Sequence, residues 1–275
     1  MTGFHVIAGS TETLVHPPVR RIGVSDLVDA LHLGFSDFWE KPSHYVFLCL
    51  IYPLVGVVLA TWTSGNNALP LLFPLMSGFA LIGPFAALGL YEISRRREAG
   101  LDTSWWHALE VRQSPAIPSI IAVGLFLLAI FVVWLLAAQA VYMWCFGPNP
   151  PASLGSFVTD VLTTSRGWTL IIVGNLVGLI FAIVVLATTV IAFPILLDRD
   201  IGAYDAMYTS VRALLTNPIP MLVWGLIVAA LLVIGSIPLF AGLAVVIPIL
   251  GHATWHLYRK VIAASTGPAR RELGN

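Results

Sequence analysis

"AIPSIIAVGLFLLAIFVVWLLAAQAVYMW", residues 116–144, contains no Asp, Glu, Lys or Arg. About 20 apolar residues in a helix are enough to cross the hydrocarbon core of a bilayer. The whole chain has the same character, since its 275 residues are 58% hydrophobic and 10% charged, with a mean hydropathy of +0.89. An ordinary soluble domain carries about 25% charged residues. The sequence therefore predicts an all-α integral membrane protein with the lipid bilayer as its main partner.

Apolar segments of sufficient length occur six times, which predicts six transmembrane helices. They lie at residues 44–63, 68–93, 116–144, 168–197, 219–236 and 238–258. The last two form one apolar run that "GSIP" (235–238) divides, and because these residues favour a turn, we expect a tight hairpin there.

The basic residues predict the orientation of the spans. Thirteen of the 14 Lys and Arg fall in the tails or in connections on one side of the membrane, and only Arg166 falls on the other. The positive-inside rule makes the basic side cytoplasmic. We therefore expect a multi-pass protein with both termini in the cytoplasm. A net charge of zero gives no indication of a nucleic-acid partner.

An internal repeat appears when distant segments are aligned. "DALHLGFSDFWEKP" (29–42) matches "DAMYTSVRALLTNP" (205–218), and "GFALIGPFAALGLYEISR" (78–95) matches "GLAVVIPILGHATWHLYR" (242–259) without a gap. The repeating unit is thus an amphipathic cytoplasmic helix followed by two spans. Because a unit with two spans returns to its starting side, the tandem repeats have a parallel orientation.

The predicted organisation is a single membrane domain between two cytoplasmic tails. The tails are residues 1–22 and 263–275, and the domain is residues 23–262. Within the domain we place repeat unit one at 24–97, a degenerate middle unit at 102–199 and repeat unit three at 200–260.

The amphipathic helices are predicted from apolar residues at helical spacing. These residues are Leu27, Ala30, Leu31, Phe35, Phe38 and Trp39 in the first copy, and Ala203, Ala206, Met207, Val211, Leu214 and Leu215 in the other. Ser25 is the expected N-cap of the first helix.

Three segments resemble a known family. "SGFALIGPFAALGLYEISRRREAG" (77–100), "FPILLDRDIGAYDAMYTSVRALLTNPIPMLVWG" (193–225) and "IPILGHATWHLYRK" (247–260) are similar to a bacterial family of predicted inner-membrane proteins. That family is catalogued only as a domain of unknown function and is common in proteobacteria. The resemblance implies a six-span protein in the cytoplasmic membrane of a Gram-negative bacterium, and it implies no reaction.

The predicted spans carry no Asp, Glu, Lys or Arg in their central parts. Proton relays and coupled transport depend on such residues, so the sequence disfavours both. Gly174, Asn175 and Gly178 form a spacing typical of close helix packing with an interhelical hydrogen bond. Pro84, Pro194 and Pro248 are expected to kink spans and are the candidates for lining a pathway.

A histidine pair gives the one metal-site hypothesis. His252 and His256 are four residues apart on one predicted helix, and His44 lies at a similar depth. Zinc needs at least three protein ligands, so these three are its candidate ligands. Position 253 is Ala rather than the Glu of a zinc hydrolase motif, and the pair also fits an interfacial belt of amphipathic rings. We expect the structural role.

The leading functional hypothesis is a non-enzymatic membrane protein without a cofactor, acting as a scaffold or accessory partner of other membrane proteins. A passive transporter or channel for an uncharged or lipidic solute is the first alternative. A metal- or haem-binding membrane protein using His252 and His256 is the second.

Overall fold

A computed structural model describes residues 17–40, 87–238 and 241–263, together with isolated positions between residues 58 and 83. Most of the predicted first span (44–63), part of the second (68–93), His44 and Pro84 lie outside the described residues. The regular elements of the described part are all helical, which confirms the all-α class.

The helices follow one another in the order of the predicted elements. They are α1 (Val24–Glu40), α2 (Leu88–Glu98), a 3-10 helix (Trp105–Gln113), α3 (Ile117–Phe146), α4 (Leu154–Thr163), α5 (Ser165–Thr189), α6 (Ala192–Asp198), α7 (Ala203–Thr216), α8 (Pro218–Ser236) and α9 (Leu243–Val261). A short 3-10 turn, Leu69–Leu71, lies among the isolated positions.

Within the described ranges, helices long and apolar enough to cross a membrane occur in three places. They are α3, the stretch Ser165–Asp198 that includes α5 and α6, and α8. They coincide with the predicted spans 116–144, 168–197 and 219–236, so the integral membrane class is confirmed. The predicted span 238–258 corresponds to α9. The second half of α9 is more polar than its first half, and α9 is not among the three helices that are long and apolar enough to cross a membrane. The total of six spans stays a prediction.

The stretch from α5 to α6 is interrupted near its C-terminal end. α5 ends at Thr189 and α6 begins at Ala192, close to Pro194, which lacks the N–H that would bond the carbonyl of Val190. At the same interruption, the backbone N–H of Ile191 donates to Ser210 Oγ on α7 at 3.2 Å. Ile191 is fully buried, so this hydrogen bond satisfies a backbone group that water does not reach.

Pro248 behaves differently, because α9 continues through it without a break. Both prolines are buried by neighbouring side chains in the described part of the chain. Their role in a pathway stays a prediction.

Each amphipathic segment packs on a helix of a neighbouring region. α1 lies along α9, the 3-10 helix lies along α2, and α7 lies along α5 and α6. Small residues permit these contacts: a Cβ on Gly34 would come within 2.5 Å of the backbone N of Ala253, and one on Gly89 within 2.9 Å of the Cβ of Ala108. The segment before α1 is bonded to the end of α9. The backbone N–H of Arg20 donates to Val261 O at 2.8 Å, and Val19 forms an antiparallel β-bridge with Ile262.

The structure divides the predicted apolar residues of α1 and α7 between two surroundings. Phe35, Trp39 and Leu215 are exposed. The faces that pack consist of Leu27, Ala30, Gly34, Asp37 and Phe38 on α1, and of Ala203, Ala206, Thr209, Ser210 and Ala213 on α7. Both helices carry apolar residues on more than one side, so spacing alone could not separate the side facing the bundle from the side facing outward.

The predicted N-cap is also corrected. Ser25 lies inside α1. The N–H of Gly23, just before the helix, donates to Asp26 Oδ2 at 2.8 Å. The side chain of Asp26, in the first turn, therefore bonds the backbone N–H of the residue before the helix, and Ser25 does not occupy the N-cap position.

Candidate functional site

The polar residues that converge inside the described part lie where α1, α2 and α9 meet. Asp37 comes from α1, Ser94 and Arg97 from α2, and His252 and His256 from α9. Gly34 makes this meeting possible, because its missing side chain lets α1 touch the backbone of α9 at Ala253. Asp37, one turn later on the same face, then enters the interface. We call these five residues the Asp37 cluster.

Asp37 accepts hydrogen bonds on both carboxylate oxygens. Its Oδ2 accepts from Ser94 Oγ at 2.9 Å and from His256 Nε2 at 2.9 Å. Its Oδ1 accepts from Arg97 at 2.7 Å, and Arg97 also pairs with Glu40 at 2.9 Å. One carboxylate therefore joins three helices through charge-assisted hydrogen bonds, which are stronger than neutral ones.

The geometry assigns the tautomer of His252. Its Nδ1 lies 2.7 Å from Ser94 Oγ, and the single proton of that hydroxyl points to Asp37. Ser94 Oγ must then accept from Nδ1, so Nδ1 carries the proton. His252 is fully buried, and its ring is held in a fixed orientation by this bond.

The charge state of Asp37 follows from its partners. Burial acts to raise the pKa of Asp37, but the hydrogen bond from His256, the electrostatic attraction between the two groups and the Ser94 hydrogen bond outweigh it. The pKa of Asp37 therefore lies below its ordinary value, and the carboxylate is ionised at neutral pH.

Ser, His and Asp meet here, but not in the order of a nucleophilic triad. In a triad the imidazole lies between the serine and the carboxylate and takes the serine proton. Here Ser94 donates directly to Asp37, and His252 Nδ1 is 3.9 Å from Asp37 Oδ2. Ser94 is also buried, at 1% exposure. The arrangement of the Asp37 cluster orients helices and does not activate Ser94.

The histidine pair predicted from the sequence is thus brought together by Asp37. In the residues described, no group of three or more His, Cys, Asp or Glu has an arrangement suited to a metal ion. His44, the third candidate ligand, lies outside the described residues. The metal hypothesis stays a prediction.

An ionic layer lies beside the Asp37 cluster, at the ends of α2, α6 and α9. Arg259 bonds Glu98 at 2.8 Å and Asp198 at 3.2 Å. Tyr258 also donates to Asp198, and Trp255 Nε1 donates to Glu98 at 3.2 Å. The chain thus gathers its charges at one end of these helices.

The predicted packing residues on α5 have different surroundings. A Cβ on Gly178 would lie 3.2 Å from the indole of Trp134 on α3, so Gly178 packs within the chain. A Cβ on Gly174 would have no atom within 4 Å. Asn175 is exposed, and its Nδ2 donates to Ile171 O of its own helix at 2.7 Å. Gly174 and Asn175 therefore face away from the rest of the described chain.

Sequence reasoning did not single out Asp37, Ser94 or Arg97. The available signal was Asp37 itself, a charged residue seven positions after Ala30 and three after Gly34, and therefore on the packing side of α1. Ser94 and Arg97 are 57 and 60 residues away from it along the chain. Their contacts depend on how the helices assemble.

Comparison with known proteins supports the membrane assignment. Residues 72–198 match the model of a family described as predicted integral membrane protein, a domain of unknown function (DUF2189). The match confirms the family resemblance. No curated protein and no solved structure matches the chain.

Proposed function

We propose that the protein, whose residues 72–198 match the model of a family of predicted integral membrane proteins, is a non-enzymatic scaffold or accessory partner of other membrane proteins. The partner would pack against α5. We also propose that the protein has six spans in a bacterial inner membrane and that both termini lie in the cytoplasm.

The observation that carries the proposal is the outward face of α5. Of the most apolar part of Ser165–Asp198 only 6% is buried within the chain, against 22% in α3 and 17% in α8. Its exposed surface includes Asn175, whose amide keeps unused hydrogen-bonding capacity after bonding Ile171. Lipid tails cannot satisfy an amide, whereas a side chain or backbone group of a second helix can.

Gly174 adds a shape argument. Among the described residues, no atom lies within 4 Å of the position of a Cβ on this residue, so the described part leaves the space beside Asn175 open. Glycine lets a second helix approach closely at such a position. Gly174 and Asn175 together therefore suit a packed helix better than they suit lipid.

The Asp37 cluster supports the same class of function. Its ionisable side chains bond each other across α1, α2 and α9, at full or partial burial. Groups used in this way fix the relative positions of helices. A protein whose buried polar groups hold its shape suits a role in assembly.

The helix packing supports the proposed parallel repeat. In each of the three units the amphipathic segment packs on the last helix of the unit before it: the 3-10 helix on α2, and α7 on α5 and α6. α1 of the first unit packs on α9 of the third, which closes a ring. A threefold repeat would place the first segment of each unit on the last helix of the unit before it, and the middle unit makes this contact as well.

The orientation is proposed from the charges. Arg95, Arg97 and Arg259 lie at one end of α2 and α9, in ion pairs with acidic residues of the same layer. The opposite end of α3 carries Tyr142 and Phe146, with Arg166 over the Phe146 ring at 5.3 Å. The positive-inside rule favours the first end as the cytoplasmic one.

A photo-crosslinking experiment in native membranes tests the partner surface. A photoreactive side chain is placed at Gly174 and, as a control, at Ala140, an exposed alanine of α3. We expect a crosslink to one defined protein from position 174 and crosslinks to lipid from position 140. Lipid adducts alone from both positions would contradict the proposal.

A further inference from the structure

We propose that α1 and α7 lie in the cytoplasmic leaflet and that each inserts a second apolar face among the lipid chains. We call these faces the lipid stripes: Val28, Phe35 and Trp39 on α1, and Tyr204, Tyr208 and Leu215 on α7. All six side chains are exposed, Trp39 at 67% and Leu215 at 70%. This surface is separate from the α5 face, so the inference does not depend on the partner proposal.

The stripes are confined to one side of each helix. Residues 28, 35 and 39 are spaced by seven and four, and residues 204, 208 and 215 by four and seven, which places each set on one helix face. The exposed polar residues Asp29, Ser36 and Glu40 lie on another side of α1. A helix whose whole outer surface met water would carry polar residues across that surface. The outer surface of α1 is instead divided between two environments.

The α7 stripe continues into a candidate span. α7 ends at Thr216 and α8 begins at Pro218, and the large residues flanking this corner, Leu215 and Ile219, are each 70% exposed. Leu222 and Leu226 follow on α8, also exposed. Because α8 is apolar enough to cross the membrane, lipid covers these exposed residues. The same lipid phase therefore reaches Leu215.

The aromatic residues in the stripes suit the headgroup boundary. Phe35 and Trp39 stack with ring centroids 5.6 Å apart, and Tyr204 and Tyr208 with centroids 6.2 Å apart. The guanidinium carbon of Arg212, one turn after Tyr208, lies 6.0 Å from the centroid of the Tyr208 ring. Amphipathic rings beside a cation are typical of the interface between lipid and water.

Lipid is the occupant that fits both stripes at once. α1 packs on α9 and α7 packs on α5 and α6, so the two stripes belong to different parts of the bundle. A single protein partner would contact one location, whereas a bilayer surrounds the whole protein. If the alignment of 29–42 with 205–218 is extended by one residue, Val28 corresponds to Tyr204, and within it Trp39 corresponds to Leu215. At these two positions both helices carry an exposed apolar or aromatic side chain.

Site-specific quenching in nanodiscs tests the inference. The full-length protein, with Cys49 and Cys145 replaced by Ala, receives single cysteines for a fluorescent label. The lipid is phosphatidylethanolamine with phosphatidylglycerol. The label is placed at Phe35 or Leu215 in the stripes, and at the adjacent exposed residues Ser36 or Thr216 as matched controls. Quenching is measured with doxyl-labelled lipid and with aqueous iodide.

We expect doxyl lipid to reduce the fluorescence at positions 35 and 215 much more than at 36 and 216, and iodide to show the reverse order. Equal quenching by iodide at both members of each pair would place the stripes in water and overturn the inference. Protection of positions 35 and 215 from both quenchers would also overturn it, because a protein would then cover them. The crosslinks from position 174 are independent of either result.

Discussion

Asp37 and His256 are 219 residues apart in the chain, and a hydrogen bond of 2.9 Å joins Asp37 Oδ2 to His256 Nε2. The bond ties α1, the first helix of the described part, to α9, the last. The Arg20–Val261 backbone bond lies beside the same two helices. The stability of the chain should therefore depend strongly on residues at this junction.

Replacement of Asp37 by Ala should destabilise the protein by about 3 kcal/mol, because the change leaves Arg97 and His256 without their buried anionic partner. Thermal unfolding in a mild detergent measures the effect. Asp29→Ala is the matched control, since Asp29 is an exposed partner of Lys260 at 3.1 Å and its loss should cost at most about 1 kcal/mol. Equal effects of the two changes would contradict the role of the Asp37 cluster.

The contribution of Asp37 should depend on pH in a defined direction. Because its pKa is lowered on folding, its stabilising contribution is complete above the ordinary carboxyl pKa of about 4 and is lost as the pH falls through the lower folded-state value. The difference in melting temperature between wild type and Asp37→Asn should thus be constant near neutral pH and shrink in acid. If the difference in melting temperature instead grows as the pH falls, the pKa of Asp37 is raised on folding rather than lowered, which contradicts the account.

Replacement of Gly34 by Ala should separate α1 from α9. A Cβ there would lie 2.5 Å from the backbone N of Ala253, which cannot move without shifting the helix, and overpacking of this kind costs about 1–3 kcal/mol. Thermal unfolding again measures the loss. Gly174→Ala, which meets no atom within 4 Å, is the control and should leave the melting temperature unchanged.

Ser210 should stabilise the interruption between α5 and α6 through its hydrogen bond to Ile191. Ser210→Ala removes the acceptor for the buried N–H of Ile191 and should cost about 1–3 kcal/mol. Ser36→Ala, at an exposed position of α1, provides the comparison. A loss no larger than that of Ser36→Ala would mean that the Ile191 N–H finds another partner.

The sequence predicted the apolar helices well, because a long uncharged run such as 116–144 has few alternatives to a membrane span. It predicted α1 and α7 as helices, but it did not determine whether Phe35, Trp39 and Leu215 face the bundle or lipid. Hydrophobic periodicity shows which residues are shielded from water, but it does not show whether they pack against other helices or against lipid.

The Asp37 cluster could not be predicted for a different reason. His252 and His256 were visible as a pair, but their partner Asp37 lies more than 200 residues earlier, and only the packing of α1 on α9 brings it to them. Contacts of this range depend on close approaches such as Gly34 to Ala253, and glycine at that position has no distinctive local pattern.

The mass of the particle excised from native membranes by a lipid-solubilising polymer tests the central claim most directly. The chain alone is 29.7 kDa. A scaffold should appear in a heavier complex with a second membrane protein, which Gly174→Leu disrupts and Ala140→Leu leaves intact. A wild-type particle that contains only the 29.7 kDa chain and lipid would contradict the account.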